Sequence, residues 1–256
     1  MPSKSEISLA RSLHQKKLRQ EHNLFLSEGK KTVEELLQSG YHIRKIYTLN
    51  DFAGQLSKQF ADKTKGKLSV VSEKELQKIS ALATVQECVA VAEIPVTGID
   101  LKQVSSSVTL ALDNISDPGN MGTIIRTAHW FGIETVVCSD RCVDVYNPKV
   151  VQAAMGSLFF VNVVQANLKE IFNSLNNSLP VYGTVLNGKN IYESNLQKPA
   201  MVLLGNESVG ISEELKPFIT HPVTIPSQVK SGKHKPDSLN VATAAAIVCA
   251  ELARKR

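Results

Sequence analysis

No apolar run in the 256-residue sequence approaches the roughly 20 residues that a membrane-spanning helix needs. The opening stretch MPSKSEISLARSLHQKKLRQ lacks the apolar core of an export signal, so a cytoplasmic location and no membrane partner are expected. Cys88, Cys138, Cys142 and Cys249 show neither CxxC nor histidine-rich spacing. That argues against a disulfide framework or a zinc site and suits a reducing compartment; no metal is expected. Cys138 and Cys142 would share a face in a helix, but one pair falls short of a metal site. Neither G-x-G-x-x-G nor a P-loop lysine is present, which sets aside a dinucleotide-dependent oxidoreductase and a nucleotide hydrolase. There is no internal repeat and no low-complexity segment.

What is present begins with an uneven charge distribution. Residues 1–66 carry 12 Lys and Arg against 7 Asp and Glu, and residues 228–256 carry 6 against 2. The whole chain is at +5, so the middle is net acidic. Two basic ends around an acidic middle point to a polyanionic partner, although solvated helix surfaces and a ragged basic tail would give the same counts.

The pattern of apolar residues divides the chain. Up to residue 95 it predicts a basic helix, a strand at LFLSEG, and a helix with Val33, Leu36 and Leu37 on one stripe, stopping at Gly40. Strands at IRKIYTL, KLSVV and ECVAVAEI complete a small α/β unit, and Ser72 with Glu75 predicts a capping box. PVTGIDLKQVSSS carries Pro, Gly and a serine cluster, so residues 96–107 are expected to be a linker. From residue 108 onward, apolar strands alternate with helical patterns, which predicts an α/β domain over 108–256 with a mainly parallel sheet. In such sheets ligands sit beyond the carboxyl ends of the strands, here just after Asp113, Gly205 and Pro226.

Three stretches stand out at those ends. In DNISDPGNMGTIIRTAHWFGI, a strand turns through two glycines into a helix. Asn120 is expected as its N-cap and Arg126 six residues on, close enough along the axis for long side chains to address one site. A lone Arg here could equally serve an ion pair between helices, and His129 and Trp130 are expected to pack. LLGNESVGIS delivers Gly205, Asn206 and Glu207 at a strand end before a helix expected near Ser212; a simple Gly-rich turn is the plainer alternative. In TIPSQVKSGKHKPDSLNVATAAAIV a basic loop leads to a helix that Ser238 is expected to cap, with Asn240 in its first turn.

In this order and spacing, the three stretches resemble the signature motifs of the SpoU/TrmH-type RNA ribose 2′-O-methyltransferases, over about residues 108–254. NPKVVQAAMGSLFFVNV is also similar to the family, and residues 1–95 resemble its small α/β RNA substrate-binding domain. The resemblance implies a SPOUT catalytic domain with a C-terminal deep trefoil knot, S-adenosylmethionine as cofactor, and a homodimer in which each site is completed across the interface. It implies that Gly205, Ile225 and Leu239 line the cofactor pocket, and that Arg126, Asn120, Glu207, Ser238 and Asn240 form the catalytic set. Two departures concern motif three. Ser227 stands where the family commonly has Met, and eleven residues separate Pro226 from Ser238, several more than usual. The lysines added there are candidates for RNA contact.

The activity implied is methyl transfer to a ribose 2′-hydroxyl of RNA, with 23S-type rRNA as the first choice of substrate. A tRNA substrate, or a non-catalytic RNA-binding or ribosome-assembly role, are the alternatives. An arginine does not deprotonate in a protein. Arg126 is therefore expected to clamp a phosphate and stabilise the developing alkoxide, with a phosphate oxygen or Glu207 taking the proton.

Overall fold

The computed structural model describes residues 2–82, 84, 86–229 and 236–254. They form two compact units, one of Met1–Val96 with Asp144–Phe160 and one of Thr97–Val143 with Val161–Arg256.

The first unit runs α1 (Lys4–Ser12), α2 (Lys16–His22), β1 (Leu24–Glu28), α3 (Lys30–Gln38), β2 (Ile43–Thr48), α4 (Asn50–Gln59), α5 (Ala61–Thr64), β3 (Leu68–Val70), α6 (Glu73–Ile79) and β4 (Cys88–Glu93). Its sheet has the order β1-β4-β2-β3, with β4 antiparallel to both neighbours and β3 parallel to β2. The capping box at α6 is present, Ser72 accepting from the Glu75 N–H while the Glu75 carboxylate takes the Ser72 N–H. The single basic helix expected at the start is two, because Leu13–Gln15 break it. Buried Arg19 from α2 explains why. Its Nη1 donates to the carbonyls of Leu13 and His14 at 2.8 and 2.9 Å, and its Nε to Asp144 at 3.0 Å.

The second unit holds α7 (Leu101–Ser106), β5 (Val108–Leu112), α8 (Pro118–Trp130) and β6 (Thr135–Cys138). The chain next contributes α9 (Pro148–Ala154) to the first unit, where it packs on β1, and returns. β7 (Asn162–Gln165), α10 (Leu168–Leu175), β8 (Val181–Asn190), β9 (Ala200–Leu204), β10 (His221–Thr224) and α11 (Val241–Arg254) follow. All six strands are parallel, in the order β10-β8-β9-β5-β6-β7. This is the mainly parallel α/β sheet expected. β5 and β9 are almost wholly buried, as strands covered on both faces must be. The order reverses at β5: later strands go to one side through β6 and β7, then to the other through β8, β9 and β10. The topology therefore places a ligand crevice at the carboxyl ends of β5 and β9.

The expected linker is not bare. It contains α7, capped by Asp100, and Val104 is fully buried in the core of the second unit. Residues 144–160, expected to belong wholly with the catalytic part, lie in the first unit. Among the described residues no helix is long and apolar enough to cross a membrane.

Candidate active site

Register fixes the first two elements of the site. Leu112 and Leu204 are partners at the ends of β5 and β9, so Asp113 and Gly205 leave the sheet side by side. Asp113, 4% exposed, accepts the Ser212 N–H at 2.7 Å and so ties the two loops together. Asn114 follows in the left-handed region at φ 57, its carbonyl accepting from Asn206 Nδ2 at 2.9 Å.

The loop after β9 is a tight reversal. Asn206 and Gly210 exchange both backbone hydrogen bonds, at 3.0 and 2.9 Å, and Gly210 has φ 74. A Cβ on Gly205 would lie 2.4 Å from the Gly210 carbonyl carbon and the Ile211 nitrogen, so only glycine fits. The result is to hold Glu207 out at the loop tip.

The first motif enters α8 through Asp117, which is the N-cap; its carboxylate accepts the Asn120 N–H at 2.8 Å. Asn120 is not the cap expected. Pro118, with φ already helical, occupies the first position, which moves the cap back to residue 117. Asn120 sits in the first turn with its side chain free to reach out. In the third motif, α11 begins at Val241 and not just after Ser238. Asn240 performs the capping, its Oδ1 accepting from the N–H groups of Ala242 at 2.9 Å and Thr243 at 3.2 Å.

These three elements converge on one carboxylate oxygen. Glu207 Oε1 accepts from Asn120 Nδ2 at 2.6 Å, from Asn240 Nδ2 at 2.9 Å and from the Val241 N–H at 3.4 Å. Asn240 Nδ2 also donates to Asn120 Oδ1 at 2.8 Å. A negative charge at the start of α11 is favoured by the helix dipole. Three sequence motifs separated by up to 120 residues are thereby fastened at a single point. Glu207 Oε2 makes no hydrogen bond among the described residues.

Arg126 and Ser238 are not drawn into this cluster. Both are exposed, and neither side chain makes a hydrogen bond or ion pair among the described residues. For Arg126 the reason is angular. Six residues advance roughly 9 Å along a helix but turn the side chain roughly 120° away from that of Asn120. Arg126 shares its face with Trp130, one turn on and 84% exposed, which does not pack as expected.

Of the residues expected around a cofactor, Gly205 and Ile225 are half-buried beyond the ends of β9 and β10, and Leu239, 47% exposed, directly precedes Asn240. Beneath the first motif, Cys142 accepts from the Ile115 N–H at 3.3 Å and donates to the Leu112 carbonyl at 3.3 Å. A hydrogen bond from Cys138, helped by Ser139 and Ile115, holds the Cys142 thiol down to about 7 against the opposing effect of burial. All four cysteines are free and buried. The lysines expected to touch RNA, Lys230, Lys233 and Lys235, lie outside the described residues, as does His234. Asp117, Asn206 and Asp113 were missed as positioning residues, although the proline at 118 was a visible sign of a cap at 117.

The site can be set beside known proteins. Residues 107–250 match the SpoU rRNA methylase family, and residues 4–90 match the MRM3-like substrate binding domain. The chain is 32% identical over 241 residues to the 23S rRNA (guanosine(2553)-2′-O)-methyltransferase RlmP of Bacillus subtilis, covering 93% of this chain and 92% of that one. It is similar over the full length of both chains to a TrmH-family structure from Porphyromonas gingivalis, at 35% identity and TM-score 0.89. An AdoMet-bound rRNA methyltransferase from Sinorhizobium meliloti superposes with TM-score 0.85 at 29% identity, over 100% of this chain and 97% of that one.

Proposed function

The chain belongs to the SpoU rRNA methylase family, and from that premise we propose that it is an S-adenosylmethionine-dependent methyltransferase acting on a ribose 2′-hydroxyl of 23S-type rRNA. The observation that carries the reading is the fastening of Asn120, Glu207 and Asn240 at the carboxyl edge of the parallel sheet.

The residues present fit the cofactor. Half-buried Gly205 and Ile225 would offer backbone groups, and Leu239 an apolar side chain, as a neutral lining for an adenosine, and the Glu207 carboxylate would suit a sulfonium charge. When bound, S-adenosylmethionine supplies an electrophilic methyl group. Everything else falls to the protein. The Asn120–Glu207–Asn240 cluster holds the loops in one arrangement, so the ribose is positioned without reorganisation, worth several kcal/mol of the barrier. Arg126 grips a phosphate of the RNA with its planar fork and stabilises the alkoxide that develops at O2′. With Oε1 of Glu207 committed to three donors, the proton passes to a phosphate oxygen or to Glu207 Oε2.

The enzyme works as a homodimer. Arg126 faces away from the cluster of its own chain, so a second copy supplies the guanidinium that completes each site. The face that carries Arg126 also bears the uncovered Trp130, and α8 packs beside α11, whose Ala246, Ile247 and Ala250 leave a smooth, partly exposed apolar surface. Such a patch marks an association surface. The C-terminal segment forms the trefoil knot of the SPOUT class, residues 1–95 bind RNA, and the protein is cytoplasmic. The test is incubation with methyl-labelled donor and rRNA or tRNA lacking native methylation. Label in 23S rRNA, alkali-resistant at one internucleotide bond, is expected; label in neither RNA would overturn the proposal.

A further inference from the structure

The first unit contains a cavity that no residue of the three motifs lines. Its volume is about 420 Å³, within the range of small-ligand sites. Tyr41 and Phe159 give it an aromatic lining. The Tyr41 ring is already fixed, edge-on to Phe25 and Phe159 at 5.8 and 5.3 Å, with its hydroxyl 3.1 Å from that of Tyr146. Such a wall loses little entropy when a flat group settles on it.

Asn23, His42 and Glu93 supply the polar lining. His42 Nδ1 lies 3.0 Å, and Arg44 Nε 2.7 Å, from the same oxygen of Glu93, and both side chains are mostly exposed. The other Glu93 oxygen makes no hydrogen bond among the described residues. Val96, with an apolar side chain, stands fully exposed at the rim.

Aromatic wall, open carboxylate acceptor and adjacent guanidinium are the three groups that recognise an unpaired nucleotide. Bases stack on flat side chains, base N–H edges donate to carboxylates, and phosphates pair with Arg. We propose that this cavity holds an unpaired nucleotide of the RNA substrate, its base against Tyr41 and Phe159, an N–H edge on Glu93 and its phosphate beside Arg44. The inference rests on the RNA-methyltransferase reading and adds a recognition subsite remote in sequence from the three motifs.

The test uses the full-length protein and unmodified 23S rRNA transcribed in vitro. Glu93→Gln weakens the acceptor, and Gly40→Phe plugs the cavity from a position where a Cβ meets nothing within 4 Å. Both variants should bind the rRNA roughly tenfold more weakly, with KM raised by the same factor. Their kcat, S-adenosylmethionine affinity and melting temperature should stay near wild type. Wild-type rRNA affinity in both variants would overturn the subsite while leaving methyl transfer standing. If the wild-type protein bound rRNA without methylating it, the enzymatic reading would fall and the same affinity ratio would still decide the subsite. If the wild type bound no rRNA, both would fall.

Discussion

Asn240 does two jobs that substitutions can separate. It caps α11 by accepting from Ala242 and Thr243, and it bridges the motifs by donating to Asn120 and Glu207. Loss of an Asn cap costs about 1 kcal/mol. The two donated bonds are exposed and lie at the lower end of the usual range, about 0.5 kcal/mol each. Asn240→Ala should therefore cost about 2 kcal/mol, and Asn240→Ser, which keeps the cap, about 1 kcal/mol.

The deciding variant is Asn240→Asp. Aspartate caps a helix as well as asparagine does and gains from the helix dipole. It cannot donate to Glu207, however, and it sets a second carboxylate where the amide lay 2.9 Å from Glu207 Oε1. Two like charges at 4 Å repel by about 1 kcal/mol in water and more where solvent is partly excluded. Asn240→Asp should thus be as damaging as Asn240→Ala at pH 7, and should recover stability as pH falls through the carboxylate range near 4. Urea unfolding gives the differences directly, and each kcal/mol should also move the melting temperature by about 2–4 °C. Asn240→Asp matching wild type at pH 7, with activity retained, would show that Asn240 is a helix cap and that the bridge has no energetic weight.

Arg126→Ala should abolish methyl transfer while leaving S-adenosylmethionine affinity nearly unchanged by calorimetry, and Arg126→Lys should also be poor because lysine lacks the two-pronged fork; lost cofactor binding would refute the role. Gly205→Ala forces a Cβ to 2.4 Å from Gly210 and Ile211, so the Glu207 loop should be displaced, with cofactor affinity falling more than tenfold in a filter assay. Asp144→Ala leaves Arg19, 2% exposed, without its carboxylate, and should cost about 3–5 kcal/mol in urea unfolding.

What the sequence made legible was local. Ser72 and Glu75 are three residues apart, so a capping box could be read directly. The apolar runs over β5 and β9 announced strands buried on both faces, and the strand ends pointed to Asp113 and Gly205. What stayed hidden depended on distance. Nothing near Arg19 reveals that its partner is Asp144, 125 residues away, so the transfer of residues 144–160 to the first unit could not be read. α7 was hidden by the Pro, Gly and Ser around it, because its identity rests on Val104 meeting a core assembled from β9 and α10. The convergence of Asn120, Glu207 and Asn240 came from the family resemblance, since no periodicity brings three loops to one oxygen.

Arg126 is the instructive case, because axial distance alone made it a neighbour of Asn120 and helical rotation removes it. A side chain roughly 120° around the axis cannot serve the cluster beside its own helix start. An arginine buried on that face would demand an internal carboxylate, and none is paired with it among the described residues. It is instead exposed beside a bare tryptophan. The guanidinium is well hydrated there, and the uncovered ring is the part that gains from being covered. In the proposed dimer a second copy would cover the ring and receive the guanidinium at its own Asn120–Glu207–Asn240 cluster. The angle that removes Arg126 from its own cluster is thus the strongest physical reason for a dimeric enzyme, and a monomer that transferred methyl groups at the full rate would break that reasoning.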